Sequence, residues 1–525
     1  MPAIYTHKLS FQLDTGEWLF RDLDLSLNCR ITGLVGRNGA GKSVLFSLLL
    51  GDIHPSQGSV SSQGKIAAYS QLPSVLLDSN QRIADFLGIN DKILALRAIE
   101  LGSCEQAHFD VVGEDWEIET RTLDTLKALR IESNLNTYCH TLSGGQLALL
   151  QLHQLFESDA DILLLDEPSN HLDAGGRQWL IEQFQQFEGK ILLISHDRTL
   201  LRHVDGIYQL TSLGLRFFSG NYDAYFEQSS IQADALDKQI LHYKSEQKRL
   251  ERQAQANKEK AQQREAHGNR IRRSGSQPKI LMDAMKEKAG QSLAAAAINQ
   301  MNYLERNQEK LQVLKQQQET LKPQAMYLQQ SSCVKKRTLL KVEDCRLKYG
   351  SGKALSFSLS QAERGYLSGG NGCGKSTLLK AIQGAGSNYT GVIKLHTDTV
   401  YLDQHFGLLE LNETMLVSLM NNCEGLAESD ARTLLAGIGF RRDSVYRKVA
   451  HLSGGEKMKL SMLMVSHMAN SPLLLLDEPD NHLDIESKQI LATALKDYKG
   501  AFILVSHDQD FIAEVGVNKS IIMSK

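Results

Sequence analysis

GRNGAGKS at residues 36–43 and GGNGCGKS at residues 369–376 decide how this chain of 525 residues is read. Both follow the pattern G-x-x-x-x-G-K-[ST]. The first is preceded by the apolar run ITGLV and followed by VLFSLLLGD, an amphipathic helical stretch. A strand, a glycine-rich turn and a helix in that order form a cradle for phosphate. Gly36, Gly39 and Gly41 let backbone amides curl around an anion, and the helix adds its positive end. Lys42 and Lys375 are expected to reach phosphate oxygens, and Ser43 and Ser376 to ligate Mg²⁺. The expected nucleotide contacts of the first loop also take in Arg37, Asn38, Ala40 and Val44. Those of the second are Gly369, Gly370, Asn371, Gly372, Cys373, Gly374 and Thr377.

Further segments recur in the same order. LSGGQ begins at Leu142 and LSGGE at Leu452; ILLLDEPSNHLD is answered by LLLLDEPDNHLD; SHD occurs at Ser195 and at Ser506. The chain is therefore a duplication. Gly369 follows Gly36 by 333 residues (369 − 36), but Asp477 follows Asp166 by only 311 (477 − 166). Leu452 follows Leu142 by 310 (452 − 142), so the first half carries about 23 extra residues (333 − 310) upstream of LSGGQ, near residues 91–125, on the repeat logic of a local insertion. A short surface excursion is expected there.

The runs ILLLD and LLLLD read as buried parallel strands. Each ends in an aspartate, Asp166 or Asp477, placed to hold the metal, with Glu167 or Glu478 next in line. Alternation along a strand sends adjacent carboxylates to opposite sides, so one is free to polarise water. His196 and His507 follow apolar strands at matching offsets, where they can hold the attacking water; an isolated histidine would as readily be a capping or core residue. Gln71 and Gln404 are expected to join the metal set of Ser43 and Asp166, or of Ser376 and Asp477. LSGGQ and LSGGE precede helices. Ser143, Gly144, Gly145 and Gln146, with Ser453, Gly454, Gly455 and Glu456, offer amides and a hydroxyl to an anion. Within one repeat this loop lies too far from the phosphate loop, so its partner is the nucleotide of the other repeat.

Composition excludes little. Hydrophobic residues are 42%, charged residues 23% and the net charge −3, ordinary values for a chain with large cores. The seven cysteines form no CxxC pair, which argues against zinc or a disulfide framework and for a reducing, cytoplasmic setting. No run of about 18 apolar residues suggests a membrane span, and the N-terminus lacks a secretory pattern.

The segment between the repeats differs from both. Leu236, Ile240, Tyr243, Gln247, Leu250 and Ala254, and later Met301, Leu304, Gln308, Leu311, Gln318 and Leu321, keep a rhythm of three and four. This predicts a coiled-coil hairpin of two long helices. Between Ile231 and Pro323, 18 Lys and Arg face 11 Asp and Glu, a net +7 (18 − 11). The tip holds Arg264, Arg270, Arg272, Arg273 and Lys279, a set suited to RNA phosphates. By composition alone, a solvated coiled coil is the plainer reading.

Phosphate loop, glutamine, LSGGQ-type signature, LLLLDEP and SHD, twice in order, resemble the ATP-binding cassette ATPases. DEPSNHLD, DEPDNHLD, GNYDAYFEQ and the basic linker look like the ABC-F subfamily, over nearly the whole chain. The resemblance implies an α/β fold of two tandem cassette domains, each with a phosphate-loop core, a β-subdomain and a helical subdomain, joined by the α-helical linker. The expected boundaries are 1–228, 229–335 with its tip at about 264–279, and 336–525. It implies ATP hydrolysis with Mg²⁺, each site joining one phosphate loop to the opposite signature, and Asp173 and Asp484 at the seam. An aromatic stacks on adenine in this family; Phe11, with Trp18 as alternative, and Tyr349 fit, though a core aromatic fits as well. A ribosome partner, with the linker toward tRNA and rRNA, follows from the same resemblance, either in translation or in antibiotic protection; no DNA partner is expected. The alternative is the ATPase subunit of a transporter with a separate membrane protein. Ser169 and Asp480 depart from the usual threonine after DEP, Asp480 placing an extra carboxylate beside the second site.

Overall fold

The computed structural model describes residues 3–70, 80–131, 134–170, 172–273, 298, 301–315, 338–350, 352–384, 388–403, 407–423, 425–440, 442–452, 454–468, 472–481 and 483–523. Within the helix Tyr222–Arg273 the side chains of residues 258, 261, 264, 265, 268, 269 and 271–273 are not described. Met1–Asp223 and Pro323–Lys525 form one compact unit and Ala224–Lys322 another.

Each repeat is built on a mainly parallel sheet. In the first the strand order is Ile66–Tyr69, Ile162–Asp166, Lys190–Ile194, Ile31–Gly36, Gly206–Thr211, Gly214–Ser219, with only the last pair antiparallel. The second repeats it as Thr399–Leu402, Leu473–Asp477, Phe502–Val505, Arg364–Ser368, Lys519–Ile522. Leu163, Leu164 and Leu165, like Leu474, Leu475 and Leu476, are wholly buried. Helices cover both faces, so the strand needs no polar side; each leucine contributes roughly 2 kcal/mol of burial. A three-stranded antiparallel sheet accompanies each core: Trp18–Leu23, Ala3–Gln12 and Gln57–Gln63, then Leu355–Ser360, Thr338–Leu347 and Tyr389–Leu395.

The extra residues of the first repeat are more than a surface excursion. They include the helices Asn90–Glu100 and Gln106–Val112, whereas the next helix, Ile118–Ala128, matches Glu428–Gly437 of the second repeat at the offset of the signature loops (428 − 118 = 310). Ala95, Leu96 and Val112 bury one another in a small core. The apolar positions sit three, four and seven apart on helices, a pattern masked by the polar run GEDWEIETRT.

In the second unit, helix Tyr222–Arg273 lies beside the helical residues 301–315. Ile240 and Leu311 are buried, and a groove between the helices is lined by Lys238, His242, Tyr243, Lys310, Val313 and Leu314. The seam of the first helix runs through Leu236, Ile240, Tyr243, Gln247, Leu250 and Ala254, all buried or half-buried. On the second it passes through Leu304, Asn307, Leu311 and Leu314, so Asn307 replaces the expected Gln308, and Met301 is exposed. The amide of Asn307 donates to Glu246 at 3.4 Å, which gives this polar residue a partner at the contact. No described helix is long and apolar enough to cross a membrane.

Candidate functional site

Both phosphate loops turn through glycines that no other residue replaces without strain. Gly39 and Gly41 (φ +83° and +95°), like Gly372 and Gly374, occupy the left-handed region. A Cβ at Gly36 would meet the Leu210 carbonyl oxygen at 2.6 Å, and one at Gly369 the Met523 carbonyl oxygen at 2.7 Å. Helices Lys42–Leu50 and Lys375–Gln383 begin directly after the loops. The ammonium of Lys42 donates to the Gly36 and Arg37 carbonyls (2.7 and 3.0 Å), and Lys375 repeats this on Gly369 and Gly370 (2.8 and 3.1 Å). Val44 packs against the apolar core of its repeat, and Cys373 is buried in the other.

The metal set is incomplete among the described residues. Ser43 hydrogen-bonds Asp166, and Ser376 hydrogen-bonds Asp477. A hydroxyl and a carboxylate oxygen side by side at the mouth of each loop are the hard donors a magnesium ion takes. Gln71, Gln404 and Ser453 lie outside the described residues, as does Lys279.

Glu167 and Glu478 do not diverge from their aspartates by strand alternation. Each strand ends at the aspartate, and each glutamate adopts φ near +50°. The amide of Glu167 donates to Ile194 O and that of Glu478 to Val505 O, both at 2.9 Å. A left-handed non-glycine residue costs of order 1 kcal/mol, and both repeats retain it where chemistry is expected. His196 Nε2 stands 3.6 Å from Glu167 Oε1, and His507 Nε2 stands 3.5 Å from Glu478 Oε1.

The two glutamates differ electrostatically. Burial pushes the Glu167 carboxyl up to about 7, against the opposing charge of Lys42. Burial acts on Glu478 too, but hydrogen bonding and charge from His507, the charge of Lys375 and a hydrogen bond from Asn481 hold it below its usual range. Burial and the charge of Lys42 drive His196 well below its ordinary value, so it is neutral. Both ring nitrogens of His196 and Oε1 of Glu167 are buried without a hydrogen-bond partner. Such atoms call for a ligand's polar groups.

The two repeats meet face to face at these loops. A cavity of about 350 Å³ is lined by Asn38, Ser43, Asp166, Glu167 and His196 from the first repeat and by Gly454 from the second. Another, of about 460 Å³, joins Gly370 and Asn371 to Ser143, Gly145 and Gln146. Ser143 caps helix Gly144–Phe156 through a reciprocal pair of hydrogen bonds with Gln146. Asp484 caps its own helix through Oδ1 (Ser487 N, 2.8 Å) and takes the Asn38 amide of the opposite phosphate loop on Oδ2 at 3.1 Å. Asp173 does likewise with Gly176 N (2.9 Å) and Asn371 N (3.4 Å). Arg37 reaches across to Glu486 at 2.8 Å. Gly144 opens its helix, Gly455 is buried, and Glu456 pairs with Arg447 at 3.2 Å.

Asp480 is not simply a companion of the second site. Its carboxylate is buried, accepts from Ser506 Oγ at 3.0 Å, and lines the cavity at the first phosphate loop together with Ser169, Lys488 and Asp508. Phe11 is half-buried beside Phe20, with ring centroids 6.4 Å apart; Trp18 carries the Arg21 guanidinium on its ring at 4.5 Å. Tyr349 is 60% exposed, with its carbonyl 2.9 Å from where a Cβ of Gly374 would stand. Arg270 is exposed on the linker helix, and the side chains of Arg264, Arg272 and Arg273 lie outside what is described. Sequence reading missed Arg177, Lys488, Asp197, Asp508 and Tyr401. The first four form two pairs separated by 311 residues (488 − 177 and 508 − 197), the offset of the repeat itself, which was the available signal.

Comparison with known proteins agrees with this geometry. The family described as "ABC transporter" matches residues 20–170 and 352–481. The putative ATP-binding protein YdiF of Bacillus subtilis (strain 168) is 29% identical, over 92% of this chain and 74% of its own. ABC transporter F family member 5 of Arabidopsis thaliana is 28% identical, over 93% and 70%. The ribosome protection protein VmlR of Bacillus subtilis (strain 168) is 28% identical, over 94% and 81%. Among solved structures, the archaeal ribosome recycling factor aABCE1, in complex with the stalk protein aP1, matches with a TM-score of 0.52 at 17% identity, covering 98% of this chain and 87% of that one. That last likeness is one of fold. With two phosphate loops, two signature loops and two carboxylate-ended strands assembled on a pair of matching sheets, the chain belongs to the ATP-binding cassette family, and within it to the ABC-F subfamily with two cassettes in tandem.

Proposed function

We propose that the two cassettes clamp two ATP molecules, each between the phosphate loop of one cassette and the signature loop of the other. The observation that carries this reading is the cavity where Asn38, Ser43, Asp166, Glu167 and His196 of cassette one face Gly454 of cassette two. In each site the loop amides and Lys42 or Lys375 hold the β- and γ-phosphates, and the opposite signature loop closes on the γ-phosphate. Ser43 with Asp166, or Ser376 with Asp477, would hold Mg²⁺, which neutralises phosphate charge when bound. Glu167 and Glu478 take the proton of the attacking water, and His196 and His507 hold that water in line.

The target of the cycle is the ribosome in this reading. Support comes from the relative named as a ribosome protection protein and from the net positive linker, whose Arg270 is exposed. The linker contacts tRNA or rRNA phosphates, and hydrolysis releases the protein. Such contacts are salt-dependent and indifferent to sequence.

The test is sedimentation of the Glu167→Gln/Glu478→Gln double variant with ATP. The amide cannot take the proton, so the variant should hold ATP without turnover and pellet with ribosomes. Pelleting with membranes instead would favour a transporter subunit, and wild-type turnover would remove the glutamates from their assigned role. Arg270→Ala/Arg272→Ala/Arg273→Ala should weaken ribosome binding and flatten its salt dependence while basal ATPase persists.

A further inference from the structure

Two basic side chains cross the cassette interface in mirror fashion. Lys488, on helix Ile485–Asp497 of cassette two, is 7% exposed. Its ammonium is 2.9 Å from Asp508 Oδ2 of its own cassette and donates at 3.3 Å to the main-chain carbonyl of His196 in cassette one. Arg177, the repeat-related residue on helix Ala174–Gln186, stands 3.1 Å from its own Asp197 Oδ2 and donates through Nη1 to the carbonyl of His507 at 2.5 Å. Each cation is thus anchored by the aspartate that follows its own cassette's histidine, and holds the peptide of the opposite cassette's histidine.

That peptide matters because the imidazole hangs from it. His196 Nε2 is only 3.6 Å from Glu167 Oε1, and a shift of the peptide moves the ring away from the carboxylate. An ammonium buried among Asp508, Asp480 and Asp197 is held in its charged, donating form by those carboxylates, which outweigh the effect of burial. The helix that carries Lys488 begins at Asp484, which itself accepts from the phosphate-loop amide of Asn38. Loop, helix and histidine of the two cassettes therefore form one connected path.

Building on the two-site reading above, we propose that Lys488 and Arg177 are positioning residues acting in trans: Lys488 sets the histidine of the first ATP site, and Arg177 that of the second. The arrangement makes hydrolysis at each site sensitive to the seating of the other cassette. A residue that only stabilised its own cassette, through Asp508 or Asp197, would act on its own site.

Single-turnover hydrolysis separates these outcomes. In a Glu478→Gln background only the first site turns over; in a Glu167→Gln background only the second does. Lys488→Gln should slow the first site about tenfold and leave the second within about twofold, with ATP affinity little changed, in keeping with a small misplacement of a catalytic group. Arg177→Gln should give the reverse, and Lys488→Arg should restore most of the first-site rate. Equal slowing of both sites, slowing of the own-cassette site, or no slowing overturns the proposal. If Lys488→Gln does not fold, Lys488→Met and Arg177→Met decide it, because each removes the donor and should slow only the opposite site. Full first-site turnover in Glu167→Gln alone would instead refute the site assignment on which the test rests.

Discussion

The Tyr401 hydroxyl donates to Asp477 Oδ2 at 2.8 Å. Ala68 occupies the matching strand position in cassette one, since Tyr401 pairs with Leu475 and Ala68 with Leu164. The carboxylate expected to hold Mg²⁺ is therefore oriented by a phenol in the second site, and among the described residues of the first site the matching position offers only a methyl group. Burial and the Asp477 charge together hold the phenol protonated, so it stays a donor.

Loss of that donor is expected to show in metal dependence. Tyr401→Phe keeps the ring and removes the hydrogen bond. Outer-shell partners of metal ligands typically contribute about 10-fold or more in affinity. The Mg²⁺ concentration for half-maximal ATP hydrolysis in a Glu167→Gln background should rise about 10-fold. The Glu478→Gln background, which reports the first site, should not respond. A response in both backgrounds would contradict the assignment of Asp477 to one site.

Asp480 makes stability depend on pH. Burial pushes its carboxyl up to about 6, against Lys488 and with Asp508 adding to the rise. The folded state therefore holds a proton that the unfolded chain has already lost between the ordinary value of 3.8 and 6. Stability from this group falls as pH rises through that window and stays lower above it. Asp480→Asn should remove this slope and raise the unfolding free energy at pH 7.5 by at most about 3 kcal/mol. Urea denaturation at pH 5 and pH 7.5 checks it; a gain equal at both pH values would show that ionisation is not the cause.

A third expectation concerns the outer edge of the interface. Arg202 of cassette one forms two hydrogen bonds with Asp510 of cassette two, at 2.7 and 3.0 Å. Both side chains are partly open to solvent, so the coupling should be only about 0.5–1 kcal/mol and should weaken with salt. A double-mutant cycle with Arg202→Ala and Asp510→Ala, read by thermal unfolding at low and high salt, measures it.

Gly36→Ala should be costly for a steric reason. The added methyl carbon would lie 2.6 Å from the Leu210 carbonyl oxygen, a backbone atom that cannot rotate away. Destabilisation of about 1–3 kcal/mol is expected from overpacking, with weakened ATP binding as the strand and loop separate. Gly39→Ala meets no atom within 4 Å and strains only φ, so its loss should be smaller. Calorimetry and ATP titration rank the two.

Much of this molecule is legible in its sequence. The duplicated GRNGAGKS and GGNGCGKS, the aliphatic runs ending in Asp166 and Asp477, and their shared order determine two like sheets with phosphate loops at strand ends. They do so because backbone conformation there depends on local chemistry: glycine for positive φ, leucine for strands buried on both faces. The helical nature of the insertion was written in its apolar spacing, under a polar surface composition. The heptad rhythm of the linker was also readable, but the choice of Asn307 over Gln308 was not, because it depends on where the facing helix presents Glu246.

What only the tertiary structure decided lies between the cassettes and around single carboxyl groups. Glu167 and Glu478 carry the same residue type in the same motif, yet burial pushes one up and hydrogen bonds hold the other down. Asp480 reads as a neighbour of the second site and instead lines the cavity at the first phosphate loop. Lys488 and Arg177 look like ordinary cations on amphipathic helices until the opposite histidine carbonyls appear beside them. Spacing along a chain sets periodicity and turns, but desolvation and contacts between residues some 300 positions apart are set only when the two repeats are packed together.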